Sequence, residues 1–349
     1  MRLLVYAQDP GGSILLARVL TFAASGLPEE ATLVVHPMAE AIMAGVPMRQ
    51  WALGDVVPSV PASEPDIEAW LTAAAPSHII ATSSSRVLDL TNARLVAVAR
   101  RLGIRTLTLL DHWVGFDRFL DAEGRPSYLP DVVGCIDRFC QSRVQALGTV
   151  ETPLVGHPNL EYLAQTVAGP APRSRPRIVV VSQPVVSDGT MTGAWLRPIV
   201  GGLSVLDAVV AAAAAVSTGC DVSYRPHPKE LPSAGGIGVP VDREPGGIAL
   251  LERYDIFVGA TSMLLCEAAV AGRQVVQLNL AELAGLVPDE YPPYMVGTSV
   301  RDLRDLAAAL STAVLSVIRG ERGSGIPGLD LRDSNVRAER VMQAFLGSM

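Results

Sequence analysis

Short apolar runs alternate with longer amphipathic segments along most of this 349-residue chain. The runs at Leu3–Ala7, Thr32–His36 and His78–Thr82 are typical of buried strands, whereas Ile14–Ser25 has the spacing of a helix. Strands that alternate with helices form parallel sheets, because each crossover helix returns the chain to the same end of the sheet. The pattern therefore predicts an α/β protein built from doubly wound parallel sheets.

The same alternation continues in the second half of the chain. Arg177–Val181, Asp255–Gly259 and Arg273–Leu278 predict strands, and Met263–Ala271 and Val300–Arg319 predict helices. A stretch rich in proline, alanine and arginine separates two halves that are each long enough for a core. The predicted division is an N-terminal domain at 1–163, a linker at 164–176, a C-terminal domain at 177–328 and a C-terminal helix at 329–349.

Composition and charge narrow the class of protein. Hydrophobic residues make up 49% of the chain and charged residues 18%, which fits a compact α/β protein. A net charge of −7 argues against general nucleic-acid binding, which requires a basic face. No apolar run reaches the ~20 residues that span a bilayer, and the first apolar run is too short for a signal peptide. We expect a cytoplasmic protein without a transmembrane segment; peripheral membrane contact and the oligomeric state are left open.

The four cysteines indicate neither a disulfide framework nor a metal site. Cys135, Cys140, Cys220 and Cys266 form no CxxC pair, and no histidine stands at ligand spacing from them. Reduced thiols are therefore expected.

The strongest candidate chemistry lies in the segment Arg225-Pro226-His227-Pro228-Lys229, which follows a predicted strand. The two prolines restrict the backbone on either side of His227, and Arg225 and Lys229 flank it with positive charge. A fixed imidazole between two cations suits a phosphate or diphosphate. The alternative is a solvated basic loop that contains a histidine by chance.

A second candidate anion site follows about thirty residues later. Thr261 or Ser262 is placed to cap the helix Met263–Ala271, whose first-turn amides can bind an anion, and Glu267 lies within that helix. A strand, an anion-binding turn, a helix and a strand form a nucleotide-binding arrangement. A capped helix in any α/β protein gives the same pattern. This segment therefore indicates a nucleotide site only in combination with the histidine segment before it.

Polar residues also follow strands in the first half of the chain. Asp9, Gly11 and Gly12 come after the first strand, where glycines let the backbone approach a ligand, although the GxGxxG spacing is missing. Asp9 is a candidate catalytic base or acceptor contact; the alternative is an aspartate that stabilises a turn.

Asp111, His112 and Trp113 follow a later strand, Arg105–Leu110. Carboxylates bind hydroxyl groups and aromatic faces stack on sugar rings, so this group is a candidate acceptor site. The alternative for His112 is a partly buried histidine with its hydrogen bonds satisfied.

The segment "RPHPKE" followed by "DIFVGATSMLLCEAAVAGRQVV" resembles the donor-binding half of GT-B glycosyltransferases. The resemblance is closest to the bacterial sialyltransferase, polysialyltransferase and capsule-polymer groups. It implies two Rossmann-like domains that face each other across a cleft, with the C-terminal helix packing back toward the N-terminal domain. It also implies that His227 contacts the donor phosphate, that Thr261 and Ser262 bind phosphate at a helix start, and that Gly156 and His157 lie at the crossing between domains.

These observations define the predicted site. The donor-binding residues are Ser182, Gln183, Arg225, His227, Pro228, Lys229, Thr261, Ser262 and Glu267, the last on the ribose or base. The acceptor-binding residues are Gly11, Gly12, Asp111, His112 and Trp113. Asp9 and His227 are the predicted catalytic residues, with His112 or Asp111 as the second choice of base. No metal or cofactor is predicted.

The predicted function is a metal-independent, inverting glycosyltransferase that moves a sugar to a hydroxyl of a surface glycan or small metabolite. The donor is CMP-, UDP-, GDP- or TDP-linked, because Asp9 stands alone where the sialyltransferases carry an acidic pair. One alternative is a non-hydrolysing sugar-nucleotide 2-epimerase. A further alternative is a non-catalytic nucleotide-sugar-binding homologue.

Overall fold

The computed structural model describes residues 2–84, 89–182, 195, 202–227, 237–244, 246–283 and 296–347. The chain divides into two compact units. The first unit comprises Met1–Glu161 and Asp330–Met349, and the second comprises Tyr162–Leu329.

The first unit contains a six-stranded sheet in which every strand pairs in parallel with its neighbours. Its strands are β1 (Leu3–Ala7), β2 (Thr32–Val35), β3 (Arg49–Ala52), β4 (His78–Ala81), β5 (Arg105–Leu109) and β6 (Val132–Gly134). Their order across the sheet is β3-β2-β1-β4-β5-β6.

Helices lie between these strands and after the last one. They are α1 (Pro10–Phe22), α2 (Glu40–Met43), α3 (Glu64–Ala74), α4 (Thr91–Arg101), α5 (Arg138–Gln145) and α6 (Pro158–Thr166), with short 3-10 helices at Ala24–Gly26, Pro37–Ala39, Leu53–Asp55 and Phe116–Phe119. The helix α6 carries the chain out of the first unit.

The second unit contains a five-stranded parallel sheet in the order β11-β10-β9-β7-β8. Its strands are β7 (Arg177–Val181), β8 (Asp221–Arg225), β9 (Ile256–Gly259), β10 (Gln274–Leu278) and β11 (Thr298–Val300). Its helices are α7 (Val205–Ala214), α8 (Ile248–Arg253), α9 (Met263–Val270) and α10 (Leu306–Arg319), with 3-10 helices at Ala281–Leu283 and Leu303–Asp305. A last helix, α11 (Ser334–Gly347), belongs to the first unit.

The central strands of each sheet are buried because they present apolar side chains to both faces. In β1, Leu3, Val5 and Ala7 belong to one core cluster, and Leu4 and Tyr6 belong to another on the opposite face. The core of the second unit includes buried side chains of β7 and β9 such as Ile178 and Val258. The prediction of two doubly wound parallel sheets is confirmed.

Two element boundaries differ from the prediction. The helix α1 begins at Pro10 rather than at Ile14, because proline needs no amide hydrogen bond at the first helical position. The helix predicted to begin at Val300 begins at Leu306 instead, because Val300 is the last residue of β11. Between them Asp302 accepts a hydrogen bond from the Arg304 amide at 2.9 Å and so begins a separate 3-10 turn.

Within the described ranges, none of the helices has both the length and the apolar character that crossing a bilayer requires.

Candidate functional site

The strand order of the second sheet reverses between β7 and β9. Open α/β sheets bind ligands beside the carboxyl ends of the strands that border such a switch point. Ser182 directly follows β7 and is buried, and its amide donates to the Arg225 carbonyl at 2.9 Å. Thr261 and Ser262 follow β9. The structure therefore brings these predicted donor-binding residues to one edge of the sheet.

The turn after β9 leads directly into the helix α9. Ser262 is the N-cap of α9, and its hydroxyl accepts a hydrogen bond from the Leu264 amide at 3.3 Å. Gly259 lets this turn approach β7, because a side chain there would lie 3.2 Å from the Val181 carbonyl oxygen. The amides of a first helical turn attract anions, so this position suits a phosphate.

Glu267 lies one turn further along α9 and is half-buried. Burial raises the pKa of Glu267 to about 7, and the positive charge of Arg225 partly opposes this increase. A carboxyl group in such surroundings can accept hydrogen bonds from the hydroxyls of a ribose.

Arg225 ends β8 and its charge is held in a fixed position. Its Nη1 donates to the Glu244 carbonyl at 2.9 Å and lies 3.4 Å from Asp242 Oδ1. Burial alone would raise the pKa of Asp242, but hydrogen bonds from Tyr254 and the Glu244 amide, together with Arg225 and Arg253, outweigh it and lower that pKa. Sequence reasoning missed Asp242, which neutralises one of the predicted phosphate-binding cations.

His227 is half-buried two residues beyond β8. The predicted residues Gln183, Pro228 and Lys229 lie outside the described residues.

In the first sheet the strand order reverses between β1 and β4. Asp9, after β1, is the N-cap residue of α1, but its side chain makes no capping hydrogen bond.

Gly11 and Gly12 lie inside the first turn of α1 and not in a loop before it, which corrects the prediction. A side chain on Gly12 would lie 3.0 Å from Thr82 Cβ, and one on Gly11 would lie 2.6 Å from Asp111 Oδ2. The two glycines therefore let α1 approach the ends of β4 and β5.

A buried polar network anchors the end of β1 beside Asp9. The Gln8 amide donates to Thr82 Oγ1 at 3.1 Å, and Gln8 Oε1 accepts from Tyr6 Oη at 2.9 Å and from the Asn92 amide at 3.0 Å. Gln8 Nε2 donates to the carbonyl of Asp89 at 3.2 Å. This network fixes the backbone on which Asp9 stands, and no local pattern in the sequence indicated it.

Asp111, which follows β5, is held by two neighbours. Its Oδ1 accepts a hydrogen bond from Ser83 Oγ at 2.9 Å and lies 3.4 Å from Arg118 Nη1. The Asp111 and Arg118 side chains are only 15% and 13% exposed. Sequence reasoning placed Asp111 correctly at a strand end but gave no role to Ser83 or Arg118.

His157 fixes the backbone of Asp111. Its Nε2 donates to the Asp111 carbonyl at 3.1 Å, and its Nδ1 accepts from the Leu160 amide at 3.2 Å. Burial lowers the pKa of His157 despite its bond to Asp111, so the ring is neutral near pH 7.

Gly156 has φ +82°, and any side chain there would collide with Ser334 at the start of α11. The predicted position of Gly156 and His157 at a domain crossing stays a prediction.

Trp113 does not offer a face to a sugar, which corrects the prediction. Its side chain is 1% exposed, donates from Nε1 to Asp137 Oδ2 at 2.6 Å, and stacks on the His157 ring at 6.2 Å. The ring is thus a structural part of the loop that carries Asp111. His112 is half-buried, and its Nδ1 accepts a hydrogen bond from the Val114 amide at 3.2 Å.

In the part of the chain that the structure describes, no cluster of histidine, cysteine, aspartate and glutamate side chains could hold a metal ion. The four cysteines are free thiols, and burial raises the pKa of both Cys135 and Cys266 to about 12.

Comparison with known proteins gives likeness at the level of fold. No family model and no curated protein sequence matches the chain. Among solved structures, MnaA from S. aureus with UDP has a TM-score of 0.66 at 12% identity, covering 100% of this chain and 98% of that chain. UDP-GlcNAc 2-epimerase from Neisseria meningitidis, bound to UDP-GlcNAc, has a TM-score of 0.61 at 10% identity, covering 100% of both chains.

The glycotransferase of kitacinnamycin has a TM-score of 0.56 at 15% identity, covering 100% of this chain and 96% of that chain. Identities this low carry information on the fold alone. Together with the two parallel sheets and their switch points, they show that this chain has a two-domain, Rossmann-like GT-B fold.

Proposed function

We propose that this protein is an enzyme that acts on a nucleoside diphosphate sugar. The observation that carries the proposal is the switch point of the second sheet, where Ser182, Arg225 and the capped start of α9 come to one edge. The α9 amides and His227 would bind the diphosphate, and Glu267 would accept hydrogen bonds from the ribose. The structures with UDP or UDP-GlcNAc bound support uridine diphosphate as the nucleotide.

The reaction we propose first is epimerisation of the sugar at C2. This reaction removes the C2 proton from one face of the sugar and returns a proton to the other face, so it needs two acid/base groups. Asp9 and Asp111 both follow strands of the first sheet, and the first turn of α1, which begins after Asp9, lies against Asp111. The greater likeness to the Neisseria 2-epimerase than to the glycotransferase of kitacinnamycin also supports this choice.

Glycosyl transfer is the second candidate. It is favoured by the order of the His227-Pro228 and Thr261-Ser262 motifs and by the likeness to the glycotransferase of kitacinnamycin. In this reaction Asp9 or Asp111 would accept the proton of an acceptor hydroxyl while the nucleoside diphosphate leaves. The α9 amides would stabilise the charge that develops on the leaving phosphate.

Nucleotide binding tests the shared part of the proposal. We expect UDP at 100 times its Kd to stabilise the folded protein by about 2.7 kcal/mol relative to the protein without nucleotide, and CMP, GDP and TDP at the same concentration to stabilise it less. Thermal unfolding with each nucleotide measures this effect. His227→Ala and Ser262→Ala should reduce the UDP-induced shift, whereas the control His112→Ala should keep it. A shift that survives both variants would contradict the assigned phosphate site.

Proton NMR with UDP-GlcNAc in D₂O separates the two reactions. Epimerisation predicts a C2 epimer that carries deuterium at C2, with no acceptor present. Product that forms only after an acceptor is added would overturn the epimerase proposal in favour of transfer. Binding without turnover under both conditions would contradict both reactions.

A further inference from the structure

Arg118 connects two segments at the carboxyl edge of the first sheet, the turn after β4 and the loop after β5. From Nη1 it donates to the Ser83 carbonyl at 3.3 Å, to the Ser83 hydroxyl and to Asp111. Its Nε donates to the Gly115 carbonyl at 2.7 Å, and its Nη2 donates to the Val114 carbonyl at 3.1 Å. Every nitrogen of the guanidinium group is therefore bound to the protein itself.

The turn beneath Arg118 is shaped for the guanidinium group. Gly115 has φ +75°, a conformation that side chains rarely adopt. A side chain there would lie 2.8 Å from Arg118 Nη2. Lysine could not replace this arrangement, because one ammonium group cannot reproduce the planar fork that binds both segments.

The two oxygens of Asp111 have different surroundings. Oδ1 is bound by Ser83 and Arg118, whereas Oδ2 lies beside Gly11, at the start of α1. No donor among the described residues binds Oδ2. The carboxylate is thus fixed through one oxygen, while the other lies beside the start of α1 at the carboxyl edge of the sheet.

We infer that Arg118 is a positioning residue that fixes the Asp111 carboxylate for proton transfer and does not itself bind the substrate. The inference rests on the proposed function. Proton transfer requires the base and the proton to lie within hydrogen-bond reach, and a misplacement of 1 Å can reduce the rate about 100-fold. Because Arg118 has its nitrogens occupied, it is a poor candidate for binding a phosphate or a sugar carboxylate.

The test compares Arg118→Met, Asp111→Asn and the double variant in the full chain. Arg118→Met should lower kcat about 100-fold and change KM for UDP-GlcNAc less than threefold. In the Asp111→Asn background it should lower kcat no further, because the two residues act through one interaction. The control Arg100→Met removes a hydrogen bond to the Leu129 carbonyl, 2.8 Å long, and should keep kcat.

Two other variants probe the geometry. Arg118→Lys should recover less than a tenth of the wild-type kcat, and Gly115→Ala should lower kcat without removing a charge. A raised KM with unchanged kcat in Arg118→Met would identify a substrate ligand and overturn the inference. Additive losses of kcat in the double variant would also overturn it.

A protein that turns over no nucleotide sugar would refute the proposed function but would still leave Arg118 testable. The urea midpoints of the same single and double variants should be non-additive if Arg118 holds Asp111. Additive midpoints would show that the two side chains are independent, and the inference would fail.

Discussion

At the scale of single residues, Glu267 links the candidate nucleotide site to the stability of the fold. Burial raises its pKa to about 7 from the usual 4.5, with Arg225 opposing the increase. Between these two values the folded protein holds a proton that the unfolded chain has lost. The free energy of unfolding therefore decreases as pH rises through this window, by about 3 kcal/mol for a shift of this size.

Glu267→Gln removes this dependence, because glutamine resembles the protonated acid and does not ionise. We expect the variant to be more stable than wild type by up to about 3 kcal/mol at pH 8 and nearly equal to it at pH 4.5. Urea unfolding at both pH values measures the difference. The exposed control Glu30→Gln should show no such trend, and equal effects of Glu267→Gln at both pH values would contradict the prediction.

Sequence reasoning identified candidate site residues from their position next to a predicted strand or within a predicted helix. It missed residues whose role depends on tertiary contacts. Asp9, Asp111 and Glu267 could be singled out because each follows a strand or lies within a predicted helix. Arg118 could not, because its main partner Ser83 is 35 positions away. Trp113 was misinterpreted for the same reason: its burial depends on distant residues that the local pattern does not contain.

At the scale of elements, the close packing of α1 against the end of β4 depends on Gly12. A Cβ there would lie 3.0 Å from Thr82 Cβ and 3.2 Å from Thr82 Cγ2, so alanine must push the helix away from the strand end. We expect Gly12→Ala to lower the free energy of unfolding by about 1–3 kcal/mol, in spite of the higher helix propensity of alanine. Urea unfolding measures this loss.

Gly45 provides the matched control for this packing contact. Apart from its two chain neighbours, no described residue has an atom within 4 Å of the position that a Cβ would take there. Gly45→Ala should therefore change stability by less than about 1 kcal/mol in either direction. A smaller loss for Gly12→Ala than for Gly45→Ala would show that α1 does not pack against β4 as described.

The elements that sequence reasoning predicted are those with strong apolar periodicity. The strands β1, β4, β7 and β9 consist of apolar runs buried on both faces, so their type follows from composition. The strand β3 has mostly exposed residues, and it forms because it pairs with β2. In this pairing Arg49 lies opposite Thr32, and Ala52 lies opposite Val35. Such pairing is a tertiary contact, and no local pattern predicts it.

At the scale of the whole molecule, the second unit is one continuous segment, whereas the first is formed from two separate segments. We expect residues 162–329 expressed alone to unfold cooperatively, because their sheet and core are complete within that range. Circular dichroism during thermal unfolding tests this expectation. A broad, non-cooperative transition would contradict it.

Residues 1–161 alone should behave differently. They lack Met342, Phe345 and Leu346 of α11, which are at most 7% exposed and belong to a core cluster of the first unit. Burial of these three side chains contributes roughly 5–9 kcal/mol, as much as the whole stability of many domains, which is about 5–15 kcal/mol. This fragment should therefore lack a cooperative transition, and adding residues 330–349 as a peptide should restore one.

The separation of α11 from the rest of its unit also sets an order of events during synthesis. A ribosome completes the strands of the first sheet early, but it releases α11 only after the entire second unit has emerged. Until then the apolar surface that α11 covers faces water, while the later unit already has all of its residues. The half of the protein that is translated first is therefore the half whose core is completed last.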